Sequence, residues 1–96
     1  MLTSKQKSYL KSLGSNLEAI VQIGKGGVSP SVIDSARDAL VKRELIKVKV
    51  LQNSPDEPGD AVAELAAATA AHLVQVIGRA GLLYKRNEEK PKIELP

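Results

Sequence analysis

The run Ile23-Gly24-Lys25-Gly26-Gly27-Val28-Ser29-Pro30 constrains this chain more than any other stretch. Ala19 to Ile23, just before it, is apolar and rich in β-branched residues apart from Gln22, which predicts a short buried strand. Ser29 is a helix N-cap, and Pro30 takes the first helical position, where its missing N–H costs nothing. The segment therefore reads as strand, glycine-rich loop, helix. That geometry brings backbone N–H groups and a positive helix terminus toward one point, a good place for a phosphate. Lys25 adds a cation at the tip of the loop.

The remaining elements follow from periodicity. A first helix is expected from about Thr3 to Leu13, with Thr3 and Gln6 forming a capping box and Tyr9, Leu10 and Leu13 on its apolar side. Leu17 is expected to follow them inward, and Gly14 to stop the helix in a left-handed conformation. The helix after the glycine loop runs to Arg43, with Val32, Ile33, Ala36, Ala39 and Leu40 as its buried stripe. Val28 and Ile33 occupy hydrophobic-staple positions. Leu45 to Val50 alternates, with Ile46, Val48 and Val50 on a dry face and Lys47 and Lys49 on a wet, basic one. Gln52 to Gly59 reads as a loop, and a third helix spans roughly Asp60 to Ala71 without a glycine cap. Leu73 to Ile77 and Leu82 to Arg86 are strands joined by a tight connection at Gly78-Arg79-Ala80-Gly81.

The order is α-β-α-β-α-β-β, an α/β fold of α+β-like character with three helices and a four-stranded mixed sheet. Crossover helices make the first three strands parallel, and the last pair is an antiparallel hairpin. The first helix has room on the same side of the sheet as the other two, while Lys47 and Lys49 suggest that part of the sheet stays open. A chain of 96 residues is expected to form one domain, here 1–96, with 87–96 as a charged C-terminal tail whose Ile93 and Leu95 can still dock.

Composition narrows the function. There is no cysteine, which removes thiol nucleophiles, disulfides and cysteine-based metal sites. No apolar run is long enough to span a bilayer, and Met1-Leu2-Thr3-Ser4-Lys5 lacks the order of a signal peptide, so a cytoplasmic location with no membrane partner is expected. Charge is unevenly spread. Met1 to Val50 holds nine Lys/Arg against four Asp/Glu, while the only charges from Leu51 to Gly78 are Asp56, Glu57, Asp60 and Glu64. Such a field suits a polyanion on one side of the molecule.

Enzyme readings find little support. His72 has no nucleophile or metal partner at a recognisable spacing. The acidic residues lack the order of a calcium loop, so no metal site is expected. The glycine loop has neither the span of a Walker loop nor the third glycine of a dinucleotide fingerprint, since Ser29 stands there, so neither a cofactor nor a small-molecule substrate is expected. What remains is Gly24-Lys25-Gly26-Gly27, a Gly-x-x-Gly pattern of the kind that clamps a nucleic-acid backbone in KH-type domains. A plain strand-to-helix turn would also use these glycines. Tyr9 and Tyr84 are the only aromatics, too few for a base-stacking sheet. Recognition should then rest on backbone and shape, and should be salt-sensitive.

Four stretches together resemble one family. They are Lys5-Gln6-Lys7 with Leu10-Lys11, Ile23 to Val28, Glu44-Leu45-Ile46-Lys47-Val48-Lys49, and Val74-Gln75-Val76-Ile77-Gly78-Arg79 leading to Leu83-Tyr84. The chain resembles the CRM domain (chloroplast RNA splicing and ribosome maturation), in particular the stand-alone bacterial proteins of the YhbY type. The resemblance implies a fold similar to the C-terminal domain of translation initiation factor three, and RNA binding through the Gly-x-x-Gly loop and its basic neighbours. It further implies association with precursors of the large ribosomal subunit, with that RNA as partner and no catalysis. The expected RNA-binding residues are Gly24, Lys25, Gly26, Gly27, Lys5, Lys7, Lys11 and Arg79, joined by Lys47 and Lys49 where their face is open. The alternative is a protein-interaction module whose basic face meets an acidic protein. Two positions depart from the family pattern: Lys85 precedes Arg86 after Leu83-Tyr84, and Ala70-Ala71-His72 stands where a glycine usually ends the third helix.

Overall fold

The computed structural model describes residues 2–96. Its elements are α1 (Ser4–Gly14), β1 (Ala19–Ile23), α2 (Pro30–Arg43), β2 (Leu45–Val50), α3 (Pro58–Thr69), β3 (His72–Ile77) and β4 (Ala80–Tyr84). The capping signals operate as their chemistry dictates. Thr3 and Gln6 form the reciprocal box at the start of α1, and Ser29 accepts from the Val32 N–H with Pro30 in the first turn of α2.

The four strands lie in the order β1-β2-β4-β3. β1 pairs parallel with β2, and β4 runs antiparallel between β2 and β3. β1, β2 and β3 therefore share one direction, and their C-terminal ends meet along one edge of the sheet. The hairpin strand is inserted in the middle rather than added at the margin, which leaves β1 as an edge strand. Its burial alternates accordingly: Val21 and Ile23 are buried, whereas Ile20 and Gln22 are exposed. The strand expected to be fully buried thus has one wet face.

Helices cover both sides. α2 and α3 bury Ala36, Leu40, Ala61, Val62 and Leu65 against Val21, Ile23, Ile46, Val48, Val50 and Leu83. α1 lies on the opposite face, where Leu10 packs with Leu45, Val74, Leu82 and Tyr84. That differs from the expectation of all three helices on one side. The reason is the insertion of β4, whose Leu82 and Tyr84 create an apolar patch on the second face that needs a cover. α1 is narrow against this patch, so Tyr9 stays 40% exposed and does not enter the core. Gly14 also has another role than expected. It does not adopt a positive φ; instead a Cβ there would lie 2.4 Å from a Leu82 methyl, so glycine permits the close approach of helix to sheet. Gly81 does the same on the other face, where a Cβ would stand 2.6 Å from Val62. The third helix ends without glycine by placing Ala70 in the left-handed conformation, φ 56°, so that its N–H reaches the carbonyls of Ala66 and Ala67.

The turn from α2 to β2 holds the most unusual residue, Glu44. It is completely buried and has φ 62°. Its carboxylate accepts three backbone N–H groups from the C-terminal tail: Asn87 at 2.7 Å, Lys92 at 2.6 Å and Ile93 at 2.6 Å. Burial alone would raise the pKa of this group. The three donors, helped by the charge of Arg86, outweigh it and hold the pKa below the ordinary glutamate value. The tail is thereby latched down, and Ile93 and Leu95 join the core beneath α1.

Candidate nucleic-acid interface

β1 delivers the chain to the glycine loop at the edge where the parallel strands end. The Gly27 N–H closes a turn onto the Gly24 carbonyl at 2.9 Å, and the Ser29 N–H bonds the Gly27 carbonyl at 2.9 Å. Gly27 has φ 66°, the left-handed region that favours glycine, and its α-carbon faces Pro55 and the Asp56 carboxylate. The two other glycines differ from it. A Cβ at Gly24 would make ordinary contact with Leu51 and Asn53, and one at Gly26 would meet nothing within 4 Å. Nothing within the fold requires glycine at position 26. Lys25 and Gly26 are exposed at the tip, and their N–H groups have no acceptor among the described residues. The exposed tip thus carries two backbone N–H groups without an internal acceptor and the Lys25 side chain, a few residues before the start of α2, an arrangement suited to an anion.

The loop between β2 and α3 braces this turn. The Leu51 N–H bonds the Ile23 carbonyl at 2.8 Å, extending the β1–β2 ladder by one residue. Arg79 ties the same corner from the β3–β4 turn. Its Nε donates to the Val50 carbonyl at 3.1 Å and its Nη2 to the Leu51 carbonyl at 3.0 Å. Both acceptors are neutral carbonyls, so the guanidinium is held at the base of the loop without a direct ion pair among the described residues. Asp56 supplies the opposite sign close by.

The basic residues expected to act with the loop fall in different places. Arg79 stands at its base. Lys49 is exposed on β2 next to Gln22, which lies two residues before Gly24. Lys5 and Lys7 flank Gln6, whose side chain donates to the Pro96 carbonyl and shares a groove with Tyr84 and Arg86. Tyr84 pairs with Leu45 at the beginning of β2, so this is the opposite edge of the sheet. A strand of this length separates the two edges by roughly 17–20 Å. Lys11 lies between them on α1. The structure therefore groups Lys25, Arg79 and Lys49 with the loop and sets Lys5 and Lys7 apart. Among the described residues the one ion pair joins Arg37 to Asp34, so none of these cations is paired with a carboxylate.

Residues 2–85 match the family model described as the CRS1 / YhbY (CRM) domain. The chain belongs to this family. Within reach of the CRM match lie the loop, Arg79 and Lys49, with the Glu44-bound tail extending past it. The chain is 46% identical over 96 residues to "Probable RNA-binding protein YqeI" of Bacillus subtilis (strain 168), covering 100% of both. It is 37% identical over 95 residues to a Haemophilus influenzae protein named "RNA-binding protein", covering 99% of this chain and 95% of that one. The solution structure of the hypothetical protein SAV1595 from Staphylococcus aureus superposes with a TM-score of 0.83 at 49% identity, covering 100% of each chain. The CRM relatives are named for binding RNA rather than for catalysis. Among the described residues no group of metal-ligating side chains assembles, and no helix is long and apolar enough to cross a membrane.

The glycine loop, the alternating β2 and the β3–β4 connection were each visible in the sequence. Two features were visible only in part. Glu44 stood in the sequence only as the first residue of the Glu44–Lys49 stretch, with nothing to mark it as a buried anchor for the tail. Lys47 and Lys49 hinted that part of the sheet stays open, but which residues share the open half of the second face follows only from strand order, since it unites residues from four separate strands.

Proposed function

We propose that this protein binds RNA, associating with precursors of the large ribosomal subunit in the cytoplasm and assisting their assembly without catalysis. The Gly24–Gly27 loop meets the RNA backbone. Lys25 contacts phosphate, the free N–H groups of Lys25 and Gly26 donate to phosphate oxygens, and Gly26 lets the backbone approach without a Cβ between. Arg79 supplies charge at the base of the loop. Lys5, Lys7 and Lys11 extend the basic surface along α1 toward a more distant part of the same RNA.

The observation that carries this reading is the exposed glycine at position 26, which has no steric or conformational reason within the chain. Membership of the CRM family and the names of the relatives support it. The test is a salt titration of binding to precursor large-subunit RNA. Log affinity should fall linearly with log salt, and Lys25→Glu should weaken binding and flatten the slope while the melting temperature stays unchanged. Unchanged affinity for Lys25→Glu would sink the assignment of the loop.

A further inference from the structure

α1 covers only the half of the second sheet face nearest the strand beginnings. The other half is open, and the register sets its residues in two rows across the sheet. One row reads Gln22, Lys49, Ala80, Ile77; the next contains Lys47, Leu82 and Gln75. Ala80, the smallest of these side chains, stands at the centre. The result is a trough of about 310 Å³ between Lys47 on one wall and Gln75 and Ile77 on the other, closed at one end by Gly14 and Ser15. Its floor is Ala80, Gly81 and Leu82. Two strand spacings separate β2 from β3, so the walls stand roughly 10 Å apart at the backbone.

The trough is not explained by the packing of the chain. Ile77 is 64% exposed, the most exposed large apolar side chain among the described residues, yet it borders a concave surface. Lys47 and Lys49 have no carboxylate partner among the described residues. The upper row continues through Lys49 to Gln22, two residues before Gly24, so the trough lies at the same end of the sheet as the glycine loop.

We propose that this trough takes one unpaired guanine from the RNA whose backbone meets the glycine loop; the inference rests on the RNA-binding reading above. The aliphatic floor receives the face of the ring. Lys47, on the wall, donates to O6 and N7, which guanine presents side by side, and Lys49, the neighbour of Ala80 across the strand, adds a second ammonium at the rim. The Gln75 side-chain oxygen accepts from the N1–H and N2–H₂ edge, reaching it from the opposite wall. Adenine would turn its N6 amine toward the ammonium groups, donor against donor. The base is selected by hydrogen bonding over an apolar floor, which fits a chain with so few aromatics.

The test uses a hairpin RNA with one bulged nucleotide, prepared with guanine, adenine or an abasic residue at the bulge. Affinities are measured by fluorescence anisotropy for the wild type, Ala80→Leu, Gln75→Ala and Lys25→Glu. The wild type should prefer the guanine bulge over the other two by about tenfold. Ala80→Leu fills the floor and should abolish that preference, leaving affinity for the abasic RNA unchanged. Gln75→Ala, which adds no bulk, should reduce discrimination between guanine and adenine. Lys25→Glu should weaken all three RNAs alike. Equal wild-type affinity for the guanine and abasic RNAs, or a guanine preference that survives Ala80→Leu and Gln75→Ala, would overturn the trough while leaving the loop assignment standing. The reverse pattern, with Lys25→Glu silent and the guanine preference lost in Ala80→Leu, would remove the loop and keep the trough.

Discussion

Replacing Glu44 by glutamine tests how the tail is held. The carboxylate is completely buried; one oxygen accepts from Lys92 and Ile93, both at 2.6 Å, and the other from Asn87 at 2.7 Å. Glutamine preserves shape and can keep the first oxygen with its two donors. Its amide nitrogen must then face the Asn87 N–H, so one acceptor is lost and two donors confront each other. A hydrogen bond to a charged group contributes about 1.5–3 kcal/mol and a neutral one about 0.5–1.5 kcal/mol. One bond lost and two weakened would amount to roughly 3–5 kcal/mol. The smaller cost of burying a neutral amide offsets part of that. A net loss of about 2–3 kcal/mol is expected, or roughly 10–20 °C in Tm for a domain of this size. The loss should depend on pH. The folded pKa of Glu44 lies below the reference value of 4.5, so its stabilisation is complete above that value and fades as pH falls through the lowered pKa. Urea titrations at pH 7, 5, 4 and 3 should show the gap between wild type and Glu44→Gln widest at pH 7 and closing toward pH 3. The amide protons of Asn87, Lys92 and Ile93 should exchange faster in the variant. A gap under about 0.5 kcal/mol at pH 7, or one that stays constant to pH 3, would refute the account of a charged latch.

Other substitutions separate folding from function. Gly26→Ala should leave stability unchanged or raise it by up to about 1 kcal/mol, since the added Cβ meets open space, while weakening affinity for precursor large-subunit RNA. Gly27→Ala should instead cost about 1–2 kcal/mol in urea unfolding, because φ 66° disfavours a side chain. Ala70→Gly relieves the left-handed residue that ends α3 and should stabilise the protein by about 1 kcal/mol, read as a Tm increase. Gly81→Ala forces a methyl against Val62, a stiff and fully buried side chain, and should destabilise by about 1–3 kcal/mol in the same melts.

Much of the local structure was legible because its causes are local. Thr3 with Gln6, and Ser29 with Pro30, satisfy N–H groups within one turn, so a few residues suffice to mark a helix start. The alternation from Leu45 to Val50 announced a strand with two unlike faces for a similar reason. Misreadings arose where a neighbour distant in sequence decides the outcome. Gly14 looks like a helix stop, yet its reason is Leu82, far along the chain. Tyr9 has the spacing of a core residue, yet α1 presents only Leu10 and Gly14 squarely to the sheet. Ile20 sits in an apolar run, but the edge position of β1 leaves it exposed.

The candidate site divides along the same line. The sequence by itself determined the strand–loop–helix around Gly24, the capping of α2 and the cation at Lys25, all properties of adjacent residues. The family resemblance was also carried by linear motifs. Tertiary structure decided which basic residues share the loop's edge, because β4 enters between β2 and β3 and brings Arg79 to the carbonyls of Val50 and Leu51. It decided that α1 covers one half of the second face and leaves Lys47, Ala80, Gln75 and Ile77 around a trough. It decided that Glu44 is a buried anchor, since its three donors lie more than forty positions away. Periodicity and capping act over a few residues, whereas strand order and the burial of a charge depend on contacts that exist only once the chain has closed on itself.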